Sequence, residues 1–266
     1  MEHPDLADML DLDADVLHQH HHDVIAWAAS MITGPVAGPP RIIDLGAGTG
    51  TAALALARQR PDAQVIAVDV SGPMLEKIRH KAAALGVADR VATVEADLDE
   101  PWPVIGPADL VWAANSLHHV ADPGRVLAQA VTTLRPGGAF VVAEVDSFPR
   151  FLPDDAGAAL EERGHAAMAE SRAEAGMHMG EDWGVRLAGA GLRVQAKRHF
   201  DIVLRPPLPA AAGRYAQVSL QHIRHGLDGR LSPADLADLD AAAAAAPGRD
   251  DLVVRASRTL WLGRRP

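Results

Sequence analysis

One stretch constrains this chain more than any other. Arg41-Ile42-Ile43-Asp44-Leu45-Gly46-Ala47-Gly48-Thr49-Gly50 leads into an alanine- and leucine-rich run that ends near Arg58. Ile42 and Ile43 read as the end of a buried strand, the alternate glycines as a turn, and residues 52–57 as the start of a helix. A strand, a glycine turn and a helix N-terminus together bring bare backbone close to a ligand. The spacing narrows the ligand. The glycines run G-x-G-x-G with Thr51 at the sixth position, where a dinucleotide site wants glycine or alanine. No Gly-Lys-Ser/Thr follows, so the loop is not a P-loop. Asp44, two residues before the first glycine, puts a carboxylate where a cationic group on the ligand would be welcome.

Downstream spacing adds to this. Residues 64–69, Gln-Val-Ile-Ala-Val-Asp, read as a second buried strand, and its terminal Asp69 lies 19 positions after Gly50. Ser71 and Pro73 open a helix over 74–85 that Gly86 ends, so Ser71 is available as the cap and Asp69 is left for other work. A third strand, 90–95, leads to Asp97-Leu98. A fourth, 108–114, runs into Asn115-Ser116-Leu117-His118-His119-Val120-Ala121-Asp122-Pro123. Asp122 is expected to cap a helix to Leu134, and Arg135-Pro136-Gly137-Gly138 to turn the chain into a fifth strand over 139–146.

The first of these segments resembles motif I, (D/E)-x-G-x-G-x-G, of the class I S-adenosylmethionine-dependent methyltransferases. Leu-His-His followed by Asp-Pro resembles the fourth motif of ubiquinone- and menaquinone-type small-molecule methyltransferases, and Leu-Arg-Pro-Gly-Gly their later structural motif. The specific resemblance covers residues 41–146. It implies a Rossmann-like α/β fold with a seven-stranded, mostly parallel sheet flanked by helices, an antiparallel last strand and helical lid insertions. It also implies S-adenosylmethionine as cofactor, with Asp44, Gly46, Ala47, Gly48, Gly50, Asp69, Val70, Met74, Asp97, Leu98, Asn115 and Ser116 as its contacts. Asp69 would hold the ribose hydroxyls, and Asp97 with Leu98 the adenine. Of the two adjacent histidines one is expected to pack in the interior, and His118 is preferred as a general base.

The rest is read as one domain, 1–266: an N-terminal helical cap over 1–34, a core over 41–146, and helical lid insertions over 147–182 and 205–250. Helices are expected over about 5–31, 155–175 and 183–190, strands over 194–204 and 252–262, and a linker over 33–40. His21, His119, His178, Tyr215 and His222 are candidate substrate contacts from the lid. His222 and His225 share a helix face, but with no nearby carboxylate no metal site is expected.

Composition excludes several functions. A net charge of −10 speaks against a phosphate-tracking surface and hence against a nucleic-acid partner. Arg255, Arg258, Arg264 and Arg265 are read as a solvated face. The absence of cysteine removes disulfides, thiolate metal sites and a cysteine nucleophile. No apolar run reaches membrane-spanning length and no signal peptide is visible, so a cytoplasmic protein without membrane partners is expected. The expected activity is methyl transfer to a small molecule, with release of S-adenosylhomocysteine. Protein or RNA methylation, a non-catalytic cofactor-binding regulator and a weaker nicotinamide oxidoreductase reading remain as alternatives. The acceptor and the oligomeric state, a homodimer being one option, are open at this stage.

Overall fold

The computed structural model describes residues 4–33, 38–153, 156–225, 227 and 229–266. The expected linker over 33–40 and the helix start at Asp155 therefore lie partly outside the described residues. Two helices open the chain, α1 (Pro4–Val16) and α2 (His18–Ala29), where periodicity suggested one continuous segment. On α2 Gln19 donates to Asp23, one turn on, at 3.0 Å. Then come β1 (Arg41–Leu45), α3 (Thr51–Gln59), β2 (Gln64–Asp69), α4 (Gly72–Ala84), β3 (Val91–Glu95) and β4 (Ala108–Ala114). A short 3₁₀ turn (Leu117–His119) precedes α5 (Pro123–Thr133) and β5 (Leu134–Arg150). The remainder holds α6 (Ala156–Glu174), α7 (Trp183–Gly189), β6 (Arg193–Leu204), α8 (Ala212–His225), α9 (Pro233–Ala245) and β7 (Val254–Arg264).

The seven strands form one sheet in the order β3-β2-β1-β4-β5-β7-β6, and β1 to β5 pair in parallel. Gly137 N–H donates to the Arg265 carbonyl and Arg265 N–H to that of Gly138, both at 2.9 Å. This reciprocal exchange is antiparallel pairing, as expected for the last strand. β1 and β4 are buried almost throughout, which is why they read as continuous apolar runs. Strand order reverses between them, so the carboxyl ends of β1 and β4 flank the switch point where open α/β sheets hold ligands. Leu134 to Gly138 belong to β5 and do not form a separate turn; the extra residues are absorbed as a register shift opposite Ala108 and Leu110.

The chain divides into two compact units. One comprises Met1–His18, Val145–Met179 and Phe200–Arg258, the other Gln19–Glu144, Gly180–His199 and Thr259–Pro266. The first has its own core, with Phe151, Leu160, Met168, Tyr215, Leu220 and Ile223 among its buried members. The second is centred on Ile43, Leu45, Val111, Phe140, Val142 and Trp183.

The terminal arginines are not a solvated face. Arg258 is buried and its guanidinium donates to Asp13 at 2.9 Å. Arg255 reaches the Leu152 carbonyl at 2.9 Å, and Arg264 those of Gly137 and Met31. Their spacing along one strand could not show that all four side chains reach carbonyls of other segments. Among the described residues, no helix is long and apolar enough to cross a membrane.

Candidate functional site

The glycine loop sits in the second unit and is held from below. Gly46 and Ala47 both donate their N–H to the Val68 carbonyl at 2.9 Å, tying the loop to the end of β2. Gly46 has φ of 68°, and a Cβ there would lie 2.4 Å from that of Ser116. Gly50 has φ of 88°, and a Cβ would meet Ile78 Cγ1 at 2.8 Å. Both positions demand glycine for conformation and for space.

Asp69 braces the same loop. Its Oδ2 accepts from Gly48 N at 2.7 Å and its Oδ1 from Ser71 N at 2.9 Å. An ionised carboxylate has about four acceptor sites, so roughly two remain for further donors. Ser71 caps α4, accepting from Met74 N at 3.2 Å, so Asp69 is not used as the cap. Val70 is 65% exposed between two polar residues, an apolar surface beside the acid, whereas Met74 is buried. Asp97 is exposed and accepts from Asp99 N at 2.8 Å; Leu98 next to it is buried.

Asp44 is only 2% exposed. Burial pushes its carboxyl from 3.8 up to about 7; the Ala53 N–H opposes this and the nearby Asp69 carboxylate adds to it. Among the described residues its Oδ2 has no hydrogen-bond partner. Asn115 shows a related feature. It has φ of 52°, a left-handed conformation uncommon outside glycine, while its N–H donates to the Ala143 carbonyl at 2.8 Å. Its buried Oδ1 also lacks a partner among the described residues. Two unsatisfied oxygens at the ends of β1 and β4 are costly in the free protein and suit a ligand that brings donors. Ser116 is different: its hydroxyl hydrogen is already donated to the Leu45 carbonyl at 2.8 Å.

His118 is the buried one of the histidine pair and His119 the exposed one, with ring centroids 4.1 Å apart. His118 does more than pack. Its Nδ1 lies 2.5 Å from Glu144 Oε2, while Glu144 Oε1 accepts from Leu117 N at 3.1 Å. Sequence reading missed Glu144. The available signal was an acid ending the apolar run 139–143, the same pattern that marked Asp44 and Asp69.

The five lid candidates fall in both units. His21 and His119 belong to the second unit; His178, Tyr215 and His222 belong to the first. Tyr215 is a core residue. It stacks edge-on against Phe151 and its hydroxyl donates to Asp13. Burial and the Asp13 carboxylate raise its pKa well above the usual value. His222 is exposed on α8, His178 half-buried, and His21 makes an edge contact with His20. Among the described residues no three metal-ligating side chains cluster.

Residues 42–138 match a methyltransferase domain family. The chain is 29% identical over 231 residues to 27-O-demethylrifamycin SV methyltransferase of Amycolatopsis mediterranei, covering 82% of each. It is 38% identical over 112 residues to demethylmenaquinone methyltransferase of Thermus thermophilus, covering 42% of this chain and 50% of that one. Over residues 42–138 the chain is similar to a methyltransferase domain. It spans only 30% of a Synechococcus protein with which it shares 35% identity over 127 residues. Among solved structures, geranyl diphosphate methyltransferase in complex with SAM superposes with a TM-score of 0.56 at 18% identity, covering 97% of this chain and 90% of that one. The [4+2]-cyclase SpnF also superposes at 0.56, with 23% identity over 93% and 80% of the two chains. These likenesses establish the fold. Since one fold serves both a methyltransferase and a cyclase, the chemistry has to be argued from the site.

Proposed function

We propose that the chain is an S-adenosylmethionine-dependent methyltransferase that acts on a small-molecule acceptor and releases S-adenosylhomocysteine. The observation that carries this reading is the set of acids at successive strand tips, Asp44, Asp69 and Asp97, around a left-handed glycine loop, with Asp44 Oδ2 and Asn115 Oδ1 lacking donors. A nucleoside with a cationic amino-acid tail matches that set; a pyrophosphate would face three carboxylates. In this reading the 46–50 loop and Asn115 receive the amino-acid end. Asp69 accepts the ribose hydroxyls, Val70 and Met74 offer apolar surface to the base, and Asp97 with Leu98 meets its edge.

The cofactor supplies a methyl group made electrophilic by a sulfonium. The residues of this chain position the acceptor, exclude water and take up a proton when the acceptor must lose one. His118 is the group assigned to that proton. Glu144 accepts from Nδ1–H, fixing the tautomer that leaves Nε2 as the basic nitrogen and stabilising the charged ring once Nε2 is protonated. Glu144 is a positioning residue in this scheme. The related methyltransferases act on a rifamycin precursor and a menaquinone precursor by name, which supports a small, partly apolar acceptor here. We read the protein as cytoplasmic.

Calorimetry with S-adenosylhomocysteine tests the cofactor assignment, and a panel of hydroxylated acceptors read by mass gain of one methyl tests the activity. Uptake of a nicotinamide dinucleotide with no affinity for S-adenosylhomocysteine would refute the proposal.

A further inference from the structure

Outside the glycine-loop site, the first unit contains a cationic cluster with no acid assigned to it. His165 and Arg172 lie seven residues apart on α6, two helical turns, so their side chains leave the same face. The Arg172 guanidinium carbon sits 3.6 Å from the centroid of the Phe148 ring. Although Arg172 is in the last turn of its helix, no hydrogen bond joins its side chain to a terminal carbonyl among the described residues. His165 bonds to the Pro149 carbonyl. Its buried Nε2 has no partner among the described residues, so the bond to Pro149 is made by Nδ1–H and Nε2 is left as an acceptor. Arg150, next in sequence, lies close enough to act on His165 electrostatically, as does Arg172.

The charge balance is unusual for this unit. Several of its other arginines are supplied with carboxylates: Arg163, also on α6, pairs with Asp235 at 2.6 Å and Arg230 pairs with Glu174 at 2.5 Å. Arg150 and Arg172 have no ion pair among the described residues. Glu161 feels Arg150 electrostatically, but its two oxygens are taken by the N–H groups of Phe151 and Leu152. For Arg172 desolvation is the sole perturbation, pulling its guanidinium down to about 10. Desolvation and the two arginines together hold His165 near 4, so it is neutral at working pH. A half-buried guanidinium without a counter-charge is a standing cost, removed when a ligand brings the missing anion.

We propose that Arg172, Arg150 and His165 form a binding subsite for a carboxylate flanked by its own hydroxyl or amino donor. The guanidiniums donate to the carboxylate, Phe148 holds Arg172 flat, and His165 Nε2 accepts from the adjacent donor. A carboxylate alone satisfies the arginines but leaves Nε2 orphaned, so an α-hydroxy or α-amino acid motif fits better than a simple acid. The subsite can be tested without turnover.

The probes are glycolate, acetate and inorganic phosphate, added to the 266-residue chain at ionic strength held constant with chloride. Calorimetry gives affinity, and ¹⁵N NMR follows the His165 ring and the Arg172 guanidinium. Glycolate should give saturable shifts at both groups and bind about tenfold more tightly than acetate, the value of one otherwise unmade buried hydrogen bond. Arg172→Leu should weaken both carboxylates by about tenfold or more. His165→Phe should bring glycolate down to the level of acetate. Arg163→Leu should change neither, and Arg172→Lys should retain part of the acetate affinity, which separates loss of the subsite from loss of the fold. Absence of a saturable shift, or glycolate affinity unchanged in Arg172→Leu, overturns the proposal. Preference for phosphate over both carboxylates overturns the carboxylate assignment. S-adenosylhomocysteine affinity, measured on the same samples, should be unchanged in Arg172→Leu. Its absence in the wild-type chain would overturn the methyl-transfer reading while leaving the subsite intact.

Discussion

Glu144 within β5 and His118 in the turn after β4 are joined through Oε2 and Nδ1 at 2.5 Å, both side chains buried. Twenty-six positions separate them in sequence, and the parallel pairing of β4 with β5 is what brings them together. An acid on one imidazole nitrogen leaves the other free to accept a proton, and that arrangement yields the first prediction.

His118→Ala should lower turnover on a hydroxyl acceptor by about 10²–10⁴, the usual worth of a positioned base. Its affinity for S-adenosylhomocysteine should stay within a few-fold of wild type. Glu144→Gln should cost less and should change the shape of the pH–rate profile. The check is kcat across pH 5 to 9 for the three proteins, alongside calorimetry. An unaltered rate in His118→Ala at every pH would remove the base from the scheme.

Asp69→Ala takes away the brace on Gly48 N–H as well as two acceptor sites. Charge-assisted hydrogen bonds contribute about 1.5–3 kcal/mol each, so S-adenosylhomocysteine affinity should fall by about 10²-fold or more. Calorimetric titration measures this directly, and near-normal affinity would reject the role assigned to Asp69.

Asp44 makes ligand affinity depend on pH. Its folded-state pKa is raised to about 7 against an ordinary 3.8. The unfolded chain therefore loses this proton first, and stability falls as pH rises from about 4 to about 7. A cationic ligand prefers the ionised carboxylate. Affinity for S-adenosylmethionine should accordingly rise from pH 6 to pH 8, with proton release at the lower pH. Asp44→Asn should bind weakly with a flat pH profile and should lack the stability loss between pH 4 and 7. Calorimetry in buffers of different ionisation enthalpy counts the protons, and urea unfolding at several pH values follows the stability.

In the first unit Asp13 accepts from both Tyr215 and Arg258. Asp13→Ala would leave a buried guanidinium uncompensated and should destabilise the chain by about 3–5 kcal/mol. Tyr215→Phe keeps the Asp13–Arg258 pair and should cost only about 1 kcal/mol. Equal losses in thermal or urea unfolding would mean that the hydroxyl, and not the charge pair, dominates.

Particular residues show where sequence reading succeeds. β2 and β4 were bounded correctly by their apolar runs and flanking polar residues, and Ser71 and Asp122 by helix-cap chemistry. The glycine loop was legible because left-handed backbone and close approach leave glycine no substitute. Other features were not legible. That Asp13 and Arg258 meet the Tyr215 hydroxyl could not be read from the sequence. Glu144 was read only as one residue of the fifth strand, and the pairing of β4 with β5 is what puts His118 beside it.

From the sequence alone came the fold class, the order of the strands' apolar runs, the glycine loop and the acids of the proposed cofactor site. The strands and the loop follow from local rules, periodicity of burial and backbone freedom, whereas the fold class and the roles of the acids were what the resemblance to class I methyltransferases implied. Only the tertiary structure decided which acid holds His118, which oxygens at the ends of β1 and β4 lack donors, and which arginines go without a carboxylate. Each of these depends on groups far apart in sequence meeting in a desolvated interior, where a single absent partner changes the charge, the pKa and the use of a side chain.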